Sequence, residues 1–285
     1  MERLSTLHEW RDFAQAVRDE GRSVGLVPTM GALHDGHLSL VRRAHDHGDV
    51  VLLTSFVNPR QFSDADDLAA YPHTPGADAV LANEGGVDAV VTPTLAEMWP
   101  DYPSPTLTTV SVKGLGDRLE GHGRPGHFDG VASVVAKLFA LTGPCRAYFG
   151  EKDYQQLVVV RRMVRDLAFD VDVVGCATRR APDGLALSSR NARLSAEGLV
   201  RARALSGALR AARAANGPAS ARRTLMDRVM TDAGVDVAYA DIVDPATLLP
   251  LDDDDRVVGR ALVAGIVEGV RLIDNDEIDL TTRGG

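Results

Sequence analysis

Two histidines three residues apart, His34 and His37, stand with Gly36 between them just after an apolar run, Ser23 to Val27, that Pro28 closes. Gly31 opens a tight turn, and Leu38, Leu40 and Val41 then form the apolar face of an amphipathic stretch. Strand, glycine-bearing loop and helix make the first half of a βαβ unit. A helix that has begun by His34 carries the pair on one face, at i and i+3. The free N–H groups and the dipole of a helix start attract anions. Two imidazoles beside them make a pocket for a polyphosphate. A lone histidine at a helix start is ordinarily a solvated residue or a cap, but H-x-G-H directly after P-T-M-G carries more weight. A zinc site would need more ligands, and the chain has neither HExxH nor CxxC to supply them.

Three further stretches offer donors suited to anions. Gly150-Glu151-Lys152-Asp153-Tyr154-Gln155-Gln156 follows the apolar run Ala147–Phe149 and opens a long helix. A glycine and a lysine at a helix start combine backbone donors with one point charge, the physics of a phosphate loop without the Walker motif. Ser188, Ser189, Arg190 and Asn191 crowd one loop. They read either as a cap and turn or as a set of donors for phosphate oxygens. Asn58 and Gln61 follow the buried run Asp49–Val57, and the C-terminal end of a buried parallel strand is where ligands bind in α/β sheets. Finally, Gly121–Asp129 (GHGRPGHFD) holds three glycines, Arg124, His122 and His127. It reads as a solvent loop or as a mobile lid that brings positive charge to a phosphate.

The elements that must position these groups follow from periodicity. Ser5 or Thr6 caps a first helix with Leu7, Trp10, Phe13, Ala14 and Val17 as its buried stripe. Strands are predicted at 49–57, 87–93 and 170–176, a weak hairpin strand at 107–112, and helices at 77–83, 131–141 and about 150–168. Beyond residue 177 the texture changes to helices over 196–215 and 218–233, then strands over 235–243 and 257–267 around a solvated acidic tip, Asp252–Asp255. The fold class expected is α/β: a Rossmann-like parallel-sheet nucleotide-binding domain over 1–177, with a smaller C-terminal α+β domain over 178–285 closing over the site.

Composition bounds the partners. The chain has 285 residues, 45% of them apolar, and a formal net charge of −9, which argues against a general nucleic-acid binder. Its two cysteines, Cys145 and Cys176, lie in or beside apolar runs and read as reduced core residues. No run approaches the ~20 residues of a membrane helix, and the polar, amphipathic start MERLSTLHEWRDF is unlike a signal peptide. A cytoplasmic protein that binds no membrane is expected.

Together these motifs resemble the pantothenate synthetase (pantoate–β-alanine ligase) family of the HxGH nucleotidyltransferase superfamily. The matching pieces are VPTMGALHDGH at 27–37, SFVNPRQF at 55–62, YPHT at 71–74, RPGHFDGV at 124–131, GEKDYQQL at 150–157 and DGLALSSRN at 183–191. GEKDYQQ and the SSRN loop are more specific than HxGH, and the last third of the chain matches only in general pattern. The resemblance implies ATP-dependent joining of pantoate and β-alanine through a pantoyl adenylate, with release of pyrophosphate and AMP, ATP and Mg²⁺ as the nucleotide and metal, and a homodimer.

It also implies roles. His34, His37, Lys152 and Arg190 would act on the ATP phosphates, within a nucleotide set that adds Pro28, Thr29, Met30, Gly150, Asp153, Ser188 and Ser189. Gln61 and Gln156 would hold pantoate, with Asn58, Arg124 and His127 beside them, and Asp78 would be the magnesium-side carboxylate, acting through water. A carboxylate nucleophile is ionised at neutral pH, its pKa lying near ~4, so the first step needs no general base. No dedicated base for the β-alanine amine is evident. Two positions depart from the family pattern: His73 stands where arginine is usual, and Leu187 where methionine is usual. Two other readings remain at this point: an adenylyltransferase acting on a phosphate-bearing acceptor, and a non-catalytic nucleotide sensor.

Overall fold

A computed structural model describes residues 1–281. The chain divides into two compact units. The first comprises Met1–Asp117, Arg124–Glu151 and Gln156–Ala177; the second comprises Arg118–Gly123, Lys152–Gln155 and the chain from Thr178 onward.

The first unit is built on a six-stranded, all-parallel sheet of β1 (Glu2–Leu4), β2 (Val24–Thr29), β3 (Val50–Ser55), β4 (Ala89–Val91), β5 (Cys145–Gly150) and β6 (Val171–Cys176). Their spatial order is β1-β4-β3-β2-β5-β6. Without the short edge strand β1, this is the doubly wound order, which reverses between β2 and β5; ligands of such sheets bind at that switch point, outside the carboxyl ends of the strands. The connecting helices are α1 (Leu7–Asp19), α2 (Asp35–Asp46), α3 (Ala65–Ala69), α4 (Pro75–Glu84) and α5 (Leu95–Met98). The single turn α6 (Glu120–Gly123) belongs to the second unit, and α7 (His127–Thr142) and α8 (Tyr154–Asp166) follow.

Near-continuous apolar runs make strands that are covered on both faces. Val24 and Leu26 of β2 and Val50 and Leu52 of β3 pack with Trp10 of α1, Phe139 of α7 and Met163 of α8. The alternate residues Val27, Val51 and Leu53 pack with Leu40, Val41 and Ala44 of α2 on the other face. Thr6 and Glu9 form a capping box at α1, worth about 1 kcal/mol. The buried Trp10 Nε1 donates to Thr142 Oγ1 at 3.1 Å, which ties α1 to α7.

In the second unit α9 (Ala196–Ala214) and α10 (Ala219–Asp232) cover an antiparallel meander of β7 (Asp236–Val243), β8 (Val258–Val267) and β9 (Val270–Asp279). Leu205 and Leu209 of α9, Met226 and Met230 of α10, and Ile242, Val263, Leu272 and Ile278 of the strands share one core.

The expected α/β class and the smaller sheet are present, with local differences. Leu107–Val112 forms no strand: Leu107 is fully exposed and the segment pairs with no neighbour in either sheet. The stretch 121–129 is not one free loop, since its start lies in α6 and His127 opens α7. The strand β9 adds to the expected elements, its apolar pattern being broken by the buried Asp274 and Asn275.

Candidate active site

The loop after β2 is held in a conformation that few residues adopt. Gly31 has φ +78°, and the next residue, Ala32, has φ +48°. A Cβ at Gly31 would lie 3.0 Å from Asp78 Oδ2, so both the backbone angle and the space favour glycine. Asp78, buried on the first turn of α4, accepts from Ala32 N at 2.9 Å, Leu33 N at 2.8 Å and Thr74 Oγ1 at 3.0 Å. Thr29 is committed as well, donating to Thr54 O at 2.6 Å and accepting from Gly31 N at 3.1 Å.

These bonds deliver the chain to α2, whose N-cap is His34. His34 Nδ1 accepts from Gly36 N at 3.1 Å, and His37 Nδ1 accepts from His34 N at 3.2 Å. The two imidazoles thus form a capping box, with the ring nitrogens standing where a hydroxyl and a carboxylate usually stand. An Nδ1 that accepts bears no hydrogen, so in the neutral ring the proton is on Nε2. The tautomer of both rings is therefore set by the helix start. The rings are half-buried, 4.1 Å apart between centroids and tilted by 40°.

A second cluster forms after β3. Asn58 is 1% exposed. Its Nδ2 donates to Gln61 Oε1 and to Gly130 O, both at 3.1 Å, while its Oδ1 accepts from Trp99 Nε1 at 2.9 Å and from Arg60 N at 3.4 Å. Two donor hydrogens and two acceptor sites are then used up. Asn58 thereby orients the Gln61 side chain.

Gln61 Nε2 points to Met30 Sδ at 3.1 Å, so the β2 and β3 loops meet at this pair. The Gln61 carbonyl accepts from His127 Nδ1 at 2.7 Å and from Arg124 Nη2 at 3.3 Å. His127 therefore bears its proton on Nδ1, and its Nε2 accepts from Arg124 Nη1 at 3.3 Å. Both residues buttress the Gln61 backbone, and His127 is buried. Nothing in the sequence marks Gly130 or Trp99 as part of this cluster. A Cβ at Gly130 would overlap the Arg60 carbonyl and lie 2.7 Å from Gln61 N, so α7 crosses the Asn58 turn only as glycine.

Gly150 ends β5, beside β2 at the switch point of the sheet, and Gln156 is half-buried in the first turn of α8. Between them, Lys152–Gln155 belong to the second unit. Lys152 Nζ lies 3.4 Å from Asp153 Oδ1, its side chain 17% exposed. Arg180 and Ala186 pair as a small bridge, after which Ser188 caps the 3₁₀ turn Ser189–Arg193 by accepting from Arg190 N at 3.3 Å. The cap reading of Ser188 is thus realised, and it leaves Ser189 and Arg190 half-buried on the turn. Of the two departures from pattern, His73 is exposed and Leu187 half-buried.

Among the described residues no group of three or more His, Cys, Asp or Glu is arranged to hold a metal ion. Asp78 has three of its four acceptor positions filled. One position on Oδ2 remains, which fits a water-mediated contact and not a chelate.

A doubly wound sheet with a histidine pair capping the helix after its central strand defines an α/β protein of the nucleotide-binding kind. The comparisons are more specific. The family model for pantoate–β-alanine ligase matches residues 2–277, and the chain belongs to that family. A pantothenate synthetase of Cereibacter sphaeroides is 51% identical over 276 residues, covering 95% of this chain and 98% of the relative. The crystal structure of pantothenate synthetase from Thermus thermophilus superposes with a TM-score of 0.89 at 46% identity, over 97% of this chain and 99% of that one. A pantoate–β-alanine ligase of Francisella tularensis, crystallised with β-γ ATP and β-alanine, superposes with a TM-score of 0.82 at 31% identity, over 97% of each chain.

Proposed function

We propose that the chain joins pantoate to β-alanine at the expense of ATP, giving pantothenate, AMP and pyrophosphate through a pantoyl adenylate. The observation that carries this reading is the histidine capping box at the switch point of the sheet, in a chain that matches the pantoate–β-alanine ligase family over residues 2–277. Mg²⁺ enters as part of the substrate Mg·ATP, and Asp78 contacts it through water. The chain works as a cytoplasmic homodimer.

In the first step a pantoate carboxylate oxygen attacks the α-phosphorus. A P–O bond forms, the bond to the pyrophosphate oxygen breaks, and no proton moves. What the protein must supply is alignment of two anions and neutralisation of the charge that grows on the phosphate. The caps on His34 and His37 prepare both rings for this, because an imidazole whose Nδ1 is engaged presents its Nε2–H as a donor. Lys152 and Arg190 add two cationic groups, and Pro28, Thr29, Met30, Gly150, Asp153, Ser188 and Ser189 line the nucleotide. Gln61 and Gln156 hold the pantoate hydroxyls and carboxylate, since an amide donates and accepts; Asn58, Arg124 and His127 fix Gln61. In the second step the β-alanine amine attacks the acyl carbon. The C–N bond forms, the bond to the AMP oxygen breaks, and the amine's proton leaves to a phosphate oxygen or to water.

The test is pyrophosphate release from Mg·ATP with pantoate, with and without β-alanine. Pantoate-dependent pyrophosphate, and AMP with amide product only when all three substrates are present, is the expected result. ATP turnover indifferent to both acids would overturn the reading.

A further inference from the structure

The strand β9 carries an unusual pair. Asp274 and Asn275 are consecutive and each is 3% exposed, between Leu272 and Ile278 of an apolar core. Stability alone favours apolar residues at such positions, since a buried ion pair is often matched or bettered by well-packed hydrophobic groups. Consecutive residues of a strand project to opposite faces, and these two reach different segments. Asp274 takes Arg180 in a two-pronged pair, Nη1 to Oδ2 at 2.6 Å and Nη2 to Oδ1 at 2.9 Å. Arg180 also donates to Gly184 O at 3.2 Å and Asn275 O at 3.3 Å. It thereby pins the small hairpin from which Ser188–Arg190 emerges. Burial disfavours the Arg180 cation, and the carboxylates of Asp274 and Asp276 together more than offset this.

Asn275 faces the other segment. Its Nδ2 donates to Lys152 O at 2.8 Å, and its Oδ1 accepts from Arg260 Nε at 2.7 Å. The Arg260 guanidinium lies 4.2 Å from the centre of the Tyr154 ring, and Tyr154 Oη donates to Pro245 O at 3.2 Å. Within the second unit, therefore, one dipeptide on a rigid strand fixes the backbone under Lys152 and the loop of Ser188–Arg190 together. The bond from Asn275 N to Asp274 Oδ1, at 2.8 Å, couples the two halves.

We propose that Asn275 is a positioning residue for Lys152, holding its backbone so that the ammonium meets the nucleotide phosphates, with Asp274 setting the Ser188–Arg190 loop in the same frame. The inference rests on the nucleotide role of Lys152 proposed above. It falls in the last third of the chain, where the sequence carries no recognisable motif. Misplacing a catalytic group by about 1 Å can lower a rate about 10²-fold, and a lysine on a shifted backbone loses that alignment.

The test is a cycle of four proteins: parent, Asn275→Asp, Lys152→Ala and the double variant. Asn275→Asp keeps the volume and the acceptor for Arg260, and replaces the donor to Lys152 O by an oxygen. Exchange of labelled pyrophosphate into ATP, dependent on pantoate, gives kcat and the KM for ATP. Asn275→Asp is expected to lower kcat about 10- to 100-fold in the parent and less than about threefold in the Lys152→Ala background, as coupled sites do. The same loss in both backgrounds, or no loss in the parent, overturns the proposal. Lys152→Ala exchanging at the parental rate overturns the role of Lys152 itself, a failure distinguishable from the first.

If Asn275→Asp does not fold, as judged by circular dichroism, Arg260→Lys loosens the same amide and enters the same cycle with the same criteria. Arg223→Ala, which breaks an ion pair to Asp241 elsewhere in the unit, is the stability control. It should lower Tm and leave kcat alone; a parallel fall in kcat means that loss of stability alone accounts for the Asn275 effect, and overturns the proposal.

Discussion

Replacing Asp78 by alanine removes three bonds to a buried carboxylate, from Ala32 N, Leu33 N and Thr74 Oγ1 at 2.8–3.0 Å. Hydrogen bonds to a charged partner contribute about 1.5–3 kcal/mol each, and a buried donor left without one costs about 1–3 kcal/mol. Ala32 and Leu33 are half-buried, so water restores part of the loss. A net destabilisation of about 3 kcal/mol follows for the first unit, on the low side of the sum. For a unit of this size that corresponds to a Tm lower by about 6–12 °C. The loop itself also changes. Ala32 sits at φ +48°, a conformation about 1–2 kcal/mol above the right-handed one, and the bond from its N–H to Asp78 helps to offset that strain. Once Ala32 relaxes, His34 leaves its cap position, and pantoate-dependent pyrophosphate release should fall about 10²-fold. The assays are thermal unfolding and pyrophosphate release at several Mg²⁺ concentrations. A variant with parental Tm whose activity returns at high Mg²⁺ would refute the loop-holding role and leave Asp78 with the metal alone.

The other predictions follow from equally local geometry. Gly130→Ala forces a methyl into the Arg60–Gln61 backbone; overpacking of this kind costs about 1–3 kcal/mol or more, so Tm should drop by several degrees and KM for pantoate should rise, and a parental Tm would refute the close approach. Tyr148→Phe removes the hydroxyl that donates to the fully buried Asp49 at 2.5 Å, a loss of about 1.5–3 kcal/mol readable as a lower urea midpoint. That network lies at the opposite end of β3 from Asn58, so kcat should not move. Burial pushes the Cys145 thiol up to about 12 and the Cys176 thiol up to about 11, so neither should react with a disulfide reagent at pH 8 until the chain unfolds. The folded state then keeps protons that the unfolded state releases above about pH 9; with fewer protons bound in the unfolded state, stability falls as pH rises from there. A urea midpoint that is level or rising between about pH 9 and about pH 10.5 would contradict the sign.

What the sequence makes legible is set by how local each cause is. The runs of β2 and β3 read as doubly covered strands because both faces are apolar, and the Thr6–Glu9 box announces α1 from a few residues. β1 escapes such a reading because a strand so short gives no period. β9 escapes it because Asp274 and Asn275 interrupt its apolar alternation, their buried polarity being compensated by Arg180, Arg260 and Lys152 up to 123 residues away. Conversely, the weak alternation at 107–112 finds no neighbouring strand to pair with, and a strand that cannot complete a ladder does not form.

The site divides the same way. Motif spacing singles out His34, His37, Gln61 and Lys152 as candidates, because a chemistry that binds polyanions selects residue types at fixed offsets from a strand end. It does not reveal that Arg124 and His127 act on Gln61 through its backbone carbonyl from a distant element, or that Asn58 does so as the cap of the same turn, held by Gly130 and Trp99. Nor do residue types give protonation. His34 and His37 accept at Nδ1 whereas His127 donates from Nδ1, and the difference lies wholly in the partner, a backbone N–H at a helix start in one case and a backbone carbonyl in the other. Rings that must present Nε2–H to phosphate are best placed where the backbone offers only donors. The first turn of a helix is such a place, so H-x-G-H at a helix start fixes the tautomer as well as the position of both imidazoles.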